Sequence, residues 1–213
     1  MMLLSIDCER INCMNCALKP EATTDDVRNR VFCQDECFRA WPKSSPYFSL
    51  GVMEGLLDSN DRKQCSGFVF IDFSISYLRF FIDERWVDFL VDKNLKVIIV
   101  CDKYLRPLAN YWLKYKKEMF LAIYHDVNVI NACDLLKKKM MYQRGAFNKG
   151  DALSALEFLV LKTLIAGRSC HGLADTLNVN IRRIYSAKQR VEKKMGADVN
   201  TLFLLSYPVV SSR

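Results

Sequence analysis

The sequence has little of what enzymatic catalysis requires. Only two histidines, His125 and His171, occur in 213 residues. They lie far apart in the sequence, and neither is accompanied by a serine or cysteine in the setting of a hydrolase nucleophile. Glycine-rich phosphate-binding loops are also absent, which argues against the common nucleotide-binding motifs. We therefore expect no enzymatic activity.

Long apolar runs and targeting signals are also lacking. No uninterrupted apolar stretch approaches the ~20 residues that a membrane-spanning helix requires. The N-terminus has no charged region followed by an apolar core and a small-residue cleavage site. With 51% hydrophobic and 26% charged residues, the composition is that of a soluble globular protein. We expect a cytoplasmic protein with no membrane contact, built from two or three compact units.

Cysteine is well represented, with nine residues. An odd count without a secretion signal favours free thiols or metal thiolates over disulfides. Cys13 and Cys16 form one short-spaced pair, and Cys33 and Cys37 form a second. Two such pairs can place four thiolates tetrahedrally around Zn²⁺. The spacing therefore predicts one structural zinc ion in a Cys-rich module over residues 1–45.

This stretch resembles FCS-type and related treble-clef zinc fingers. Gln34 replaces the serine that usually follows the first cysteine of the second pair in those fingers, and Cys8 is a spare ligand. Zinc-binding energy would also explain how so small and polar a segment could fold. The alternative is that these cysteines are idle or buried thiols.

The middle of the chain alternates between strand and helix patterns. Three apolar runs rich in β-branched and aromatic residues predict strands at 67–73, 96–101 and 119–124, and the intervening patterns predict helices at about 77–92, 104–116 and 127–141. This alternation indicates an α/β fold with a small parallel sheet and helices on its faces. Residues 46–146 resemble the receiver domain of response regulators. The Phe-Val-Phe-Ile run at 68–71 and the Leu-Ala-Asn-Tyr-Trp run at 108–112 are similar to those of regulators of enterobacterial common-pilus (Mat/Ecp) operons.

The resemblance to receivers is incomplete at the phosphorylation site. Receivers hold magnesium with an acidic pair after the first strand, and they carry an aspartate, a hydroxyl residue and a lysine after the third, fourth and fifth strands. Asp72 stands at the aspartate position, but Asp102 follows Cys101 where the hydroxyl belongs, and His125 replaces the lysine. No acidic strand end precedes residue 47 either. Without clustered carboxylates, magnesium cannot stabilise phosphoryl transfer. The sequence therefore predicts a degenerate receiver that phosphorylation does not control.

Asp72 has an alternative role that requires no chemistry. An aspartate at the end of a strand can form a hydrogen bond with the following turn, here through Ser74.

The last third predicts three short amphipathic helices. Apolar residues recur there at helical spacing, as Leu156, Leu159, Val160 and Leu164, then Leu173, Ala174 and Leu177, then Ile184, Val191 and Met195. Gly167 suits the end of the first helix, and Asn178-Val179-Asn180 is a tight turn between the second and third. A short helix, a tight turn and a basic helix form the helix-turn-helix layout, in which the last helix enters the DNA major groove.

These residues also resemble the LuxR/GerE-type DNA-binding domain. The matching positions are Leu153-Ser154, Glu157, Gly167, Ser169, Leu173-Ala174, Leu177, Val179, Ile184 and Lys194-Met195-Gly196. Leu156, Asn180, Arg183 and Ala187 depart from the family, which usually has Arg, Ser, Thr and His there. The resemblance implies an all-α helix-turn-helix domain over residues 147–213 and leaves the base preference open.

The net charge of +7 is modest, but basic residues are concentrated around the predicted recognition helix, residues 181–195. In the family's register, bases would be contacted by Tyr185, Ser186 and Gln189, and phosphates by Arg182, Arg183, Lys188 and Arg190, or guanine by one of these arginines. Lys193 completes the predicted DNA-binding set.

We therefore expect a DNA-binding transcription regulator of fimbrial or other surface-structure genes. Its partners would be double-stranded promoter DNA and either a second copy of the chain or another response regulator. Two alternatives remain open: an auxiliary protein that acts by heterodimerising with a genuine response regulator, and a zinc- or redox-sensing regulator.

Overall fold

The apolar runs of the middle of the chain form the centre of one sheet. A computed structural model describes residues 12–13, 39–41, 46–56, 68–92, 96–116, 119–142 and 151–206. The strands are β1 (Asn12–Cys13), β2 (Arg39–Trp41), β3 (Phe68–Phe73), β4 (Lys96–Cys101) and β5 (Met119–Tyr124). They follow the order β1-β2-β3-β4-β5, and β2 to β5 are parallel while β1 is antiparallel to β2. The predicted parallel sheet is thus confirmed.

Helices cover both faces of this sheet. They are α1 (Pro46–Leu50), which continues as a π-helix (Gly51–Leu56), a 3₁₀ turn (Ile75–Tyr77), α2 (Leu78–Phe81), α3 (Arg85–Asp92), α4 (Arg106–Tyr115) and α5 (Val129–Tyr142). Alternate residues of β3 serve the two faces, because side chains of a strand point alternately up and down. Val69, Ile71 and Phe73 enter a large core with α2, α3 and α4, and Phe68 and Phe70 enter a smaller core with α1 and α5.

The sheet begins earlier in the chain than predicted. Strand β2 pairs with β3 through Arg39, Ala40 and Trp41, and the Trp41 side chain is fully buried. Its ring lies 4.7 Å from that of Phe80 and 6.1 Å from that of Trp86. The α/β unit therefore includes residues on the N-terminal side of the domain boundary that we predicted between 45 and 46. Cys16, Cys33 and Cys37 lie outside the described residues, so the predicted zinc site stays a prediction.

The single helix predicted at 77–92 is interrupted. Residues 82–84 separate α2 from α3, and two contacts explain the break. The Trp112 indole N–H donates to the Phe81 carbonyl at 3.0 Å, and the Asp83 carboxylate accepts the Arg85 amide at 3.1 Å. A carbonyl bonded to another helix and an aspartate near a helix start both favour a new helix over continuation.

Four helices form the C-terminal part: α6 (Ala155–Ile165), α7 (Cys170–Leu177), α8 (Ile181–Met195) and α9 (Val199–Leu205). They pack against the helices of the large core rather than standing apart. Phe158 stacks parallel to Tyr111 at 4.3 Å and meets Trp112 edge-on at 5.3 Å. The large core thus runs without interruption from the sheet into α6, α8 and α9. Among the helices of the described ranges, none is long and apolar enough to cross a membrane.

Candidate DNA interface

Each C-terminal helix begins with a side-chain cap, so the sequence itself fixes where the helices start. The capping residues are Ser154, Ser169, Asn180 and Asp198, whose side chains accept amides of Glu157, Gly172, Arg182 and Thr201. Such caps occupy backbone donors that the helix cannot pair itself. The α6 cap is reciprocal, because the Glu157 carboxylate accepts the Ser154 amide at 2.8 Å.

The turn between α7 and α8 has the predicted three residues. Asn178 adopts the left-handed conformation with φ of 51°, which asparagine tolerates better than most residues. The Val179 amide donates back to the Ala174 carbonyl at 3.0 Å, and Asn180 then caps α8. Two asparagines therefore set the angle at which α8 leaves the turn.

Helix α8 has one buried and one exposed face. Ile184, Ala187, Val191 and Met195 are buried. Arg182, Ser186, Gln189 and Lys193 are exposed, and their spacing of four, three and four residues aligns them along one line. At about 100° per residue this line, called here the α8 stripe, lies opposite the buried face. Half of the predicted DNA-binding set is thus brought together on one solvent-facing surface.

The other predicted residues lie beside the stripe. Arg183 is exposed. Tyr185 is 44% exposed, and its ring meets that of His171 on α7 edge-on at 6.2 Å. Lys188 is half-buried, with its Nζ 3.7 Å from a Glu192 carboxylate oxygen. Within the described residues, Arg182, Arg183 and Lys193 make no ion pair.

Arg190 has a structural partner that the sequence did not reveal. Its Nε donates to Oε1 of Glu157 at 2.8 Å, and Lys194 donates to Oε2 of the same carboxylate at 2.7 Å. Glu157 is only 2% exposed. Burial by itself would raise the pKa of Glu157, but hydrogen bonds from Lys194, the Ser154 amide and Arg190 lower it to about 2. This buried anchor fixes α8 to the start of α6.

Ala187 points away from the exposed surface. We noted it as a departure from the LuxR/GerE pattern, in which histidine is usual. Its side chain is fully buried between α7 and α8 with Ile184, Leu173 and Ala174. The departure therefore concerns packing of the helix pair and not the exposed face of α8.

At the carboxyl edge of the sheet, the two aspartates serve the local structure. Burial raises the pKa of Asp72, the charge of Asp102 adds to this, and a hydrogen bond with Ser74 opposes it. A contact of Asp72 with Ser74 is what the strand-end alternative for Asp72 requires. The Asp102 carboxylate accepts three backbone amides, from Ile75 at 2.6 Å and from Tyr104 and Leu105 at 3.0 Å each.

The Cys101 thiol lies beside these two aspartates. Cys101 is buried, and its pKa lies well above its usual value because of burial and the charge of Asp102, with Arg106 acting in the opposite direction.

Comparison with known families places the α/β unit. The EcpR N-terminal domain family matches residues 12–140, more than half of the chain. The chain belongs to this family. The match begins at β1 and ends within α5, so the family domain includes the sheet and its helices together with residues 12–45 of the predicted Cys-rich module.

The sequence match with one relative covers the C-terminal helices as well. The uncharacterized protein YqeH of Escherichia coli (strain K12) is 33% identical over 199 residues, which cover 93% of this chain and 95% of YqeH. The similarity between the two chains therefore extends beyond the α/β unit.

Two solved structures of the response regulator RcsB are similar to this chain at lower sequence identity. RcsB of Salmonella enterica serovar Typhimurium, bound to the promoter rprA with a phosphomimetic, is 18% identical, with a TM-score of 0.33 and coverage of 72% of this chain and 92% of RcsB. A second RcsB structure, from Salmonella typhimurium, is 17% identical, with a TM-score of 0.25 and coverage of 66% and 76%.

Proposed function

We propose that this chain is a transcription regulator that binds double-stranded promoter DNA through α8, and that it has no enzymatic role. The observation that carries the proposal is the α8 stripe, which presents two cations and two hydrogen-bonding side chains on a line opposite the buried face. An α-helix with such a face fits the major groove, whose base edges offer donors and acceptors.

The two kinds of side chain on the stripe have different tasks. Arg182 and Lys193 stand near opposite ends of α8 without an ion pair in the described residues, so they are available to phosphates on both sides of a groove. Gln189 and Ser186 lie between them, where short polar side chains reach base edges. Arg183 and Tyr185 border the same surface. Arg190 is held by Glu157 through its Nε, and its role is therefore first structural, although its side chain is 51% exposed.

The test begins with selection of bound sequences from a random pool of duplexes by the full chain, because the target promoter is unknown. Gln189→Ala should reduce discrimination at one base pair by about 1–3 kcal/mol. Lys193→Ala should weaken all duplexes alike and lower the slope of log affinity against log salt by about 0.9. Lys103→Ala is the matched control, since it removes one exposed positive charge from the sheet edge. Equal effects of Lys103→Ala and Lys193→Ala would contradict the proposal.

We infer further that regulation does not depend on phosphorylation of Asp72. The sequence lacks the acidic pair and the lysine that phosphoryl transfer to Asp72 would require, and the neighbouring Asp102 carboxylate is occupied by backbone amides. The expected result is that incubation with acetyl phosphate and Mg²⁺ adds no phosphoryl group to the intact protein in mass spectrometry. A stoichiometric acyl-phosphate on Asp72 would overturn this inference.

The resemblance to common-pilus regulators supports fimbrial or other surface-structure genes as the targets. Comparison of transcripts with and without the gene would test this, and unchanged surface-structure transcripts would contradict it. A regulator of this kind acts in the cytoplasm, where the promoters are.

Exposed apolar side chains favour a second candidate function, association with another regulator or a second copy. On α1 and the start of α5, Tyr47 is 84%, Ile130 is 74% and Val129 is 55% exposed. Light scattering of the purified chain, alone and mixed with candidate response regulators, would detect such pairing. Ile130→Asp should reduce it, because a charge at an apolar contact is costly to desolvate.

A further inference from the structure

We propose that Asp102 is a positioning residue that fixes the surface on which the C-terminal helices dock. The proposal rests on the DNA-binding function proposed above. The carboxylate joins two segments that are distant in sequence. Its Oδ2 accepts the amide of Ile75, and its Oδ1 accepts the amides of Tyr104 and Leu105. One side chain thereby ties the connection after β3 to the start of α4.

The first tied segment carries a contact with α9. Helix α2 follows the 3₁₀ turn that begins at Ile75. Its Arg79 donates from Nε to the Ser206 hydroxyl at 3.2 Å, and the guanidinium lies 4.2 Å from the centre of the Phe203 ring. A shift of the backbone at Ile75 would therefore move the residue that holds the end of α9.

The second tied segment carries the contact with α6. The Pro107 carbonyl accepts the Leu153 amide at 3.1 Å, just before the α6 cap. One turn further along α4, Tyr111 and Trp112 form the aromatic contact with Phe158. The two halves of the docking surface, one on α2 and one on α4, are thus held in register by Asp102 at the sheet edge.

A second tie between the same helices lies farther from the sheet edge, where the Trp112 indole donates to the Phe81 carbonyl. Because two ties hold the surface, loss of Asp102 should loosen docking without unfolding the chain. A hydrogen bond to a charged acceptor changes such an equilibrium by about tenfold or more.

Asp102→Asn should remove the hydrogen bond to the Ile75 amide while it keeps those to the Tyr104 and Leu105 amides. Asparagine keeps one acceptor oxygen for Tyr104 and Leu105, but it presents an NH₂ group toward the Ile75 amide, where no hydrogen bond can form. Asp126→Asn is the matched control. It makes the same charge change at the same edge of the sheet, on an exposed carboxylate that pairs with Arg106 at 2.9 Å.

Hydrogen exchange of the full-length variants, followed by mass spectrometry, tests the effect of the hydrogen bond between Asp102 and Ile75 without any DNA. With Asp102→Asn, amides of residues 75–81 and 199–206 should exchange about tenfold faster together, while the amides of β4 and of α8 keep their protection. Asp126→Asn should change neither segment. Faster exchange confined to residues 75, 104 and 105 would overturn the proposal, and so would faster exchange throughout the chain, which indicates global destabilisation.

Duplex binding by the same variants tests the positioning role itself. Asp102→Asn should lower affinity by up to about tenfold, in proportion to the population of the docked state. The salt slope should be unchanged, because the cations of the α8 stripe are untouched. Affinity that stays unchanged although hydrogen exchange shows a reduced docked population would overturn the positioning role. If the wild-type chain bound no duplex, the function proposed above would fail, whereas the exchange data would still decide whether Asp102 holds the docking surface.

Discussion

Glu157 is the charged side chain that holds α8 against the start of α6. Its buried carboxylate accepts hydrogen bonds from the Ser154 amide, Arg190 and Lys194. Glu157→Gln keeps the size of the side chain and removes the charge. The pKa falls from an ordinary 4.5 to about 2 in the folded chain, which corresponds to roughly 3 kcal/mol of stabilisation. Because Arg190 is half exposed and screened by water, we expect a loss of about 2 kcal/mol at pH 7.

The sign of the pH dependence follows from the lowered pKa. The stabilisation is fully present above the unfolded pKa near 4.5, and it is lost as the pH falls toward the folded pKa of about 2. Urea unfolding of the wild type and of Glu157→Gln at several pH values between 7 and 3 would measure the difference. That difference should shrink as the pH approaches 3.

The control is Glu84→Gln, which removes an exposed carboxylate 3.7 Å from Lys116 and should cost less than about 1 kcal/mol. A Glu157→Gln difference equal to that control, or one that stays constant between pH 7 and 3, would refute the assignment of Glu157 as the anchor of α8.

Three other perturbations test the core shared by α4 and α6, the packing between α7 and α8, and the predicted zinc site. Phe158→Ala removes the ring between α6 and α4 and should lower the free energy of unfolding by about 3–5 kcal/mol in urea titration; a loss below 1 kcal/mol would contradict the shared core. Ala187→Leu should cost about 1–3 kcal/mol by overpacking the space between α7 and α8, and an unchanged stability would mean that this position is not enclosed. For the predicted zinc ion, the purified chain should contain about one zinc, and Cys33→Ser should release it without abolishing duplex binding; elemental analysis that finds no zinc would leave only free thiols.

The sequence predicted the elements that its local pattern determines. The strands at 68–73, 96–101 and 119–124 follow from continuous apolar runs, which buried parallel strands require. Helices α6, α7 and α8 follow from apolar spacing and from Gly167 and Gly196, which adopt positive φ after their helices, whereas the fourth helix, α9, was not predicted. The local sequence determines these strands and helices, so they can be predicted without a structure.

Long-range partners account for what the sequence missed. Strand β2 is only three residues long and lies in the segment predicted as a Cys-rich module. Its burial depends on rings that lie far along the chain. The break after Phe81 depends on the indole of Trp112, and the hydrogen bonds of Asp102 reach Ile75, 27 residues away. The pairing of Arg190 with Glu157 spans 33 residues. Nothing in the local pattern marks these contacts, so the sequence predicts a phosphate contact for Arg190 but does not reveal its hydrogen bond with Glu157.

If the α8 stripe binds promoter DNA, the combined variant Arg182→Ala, Gln189→Ala, Lys193→Ala should lose most of that binding, because it removes three of the four side chains of the stripe. Its three substitutions are all exposed, so circular dichroism should show the wild-type fold. Titration with the duplex selected by the wild type, over a range of salt concentrations, should show loss of sequence preference and a salt slope lower by about 1.8, the value for two lost phosphate contacts. Wild-type affinity, preference and salt slope in a folded triple variant would contradict the claim.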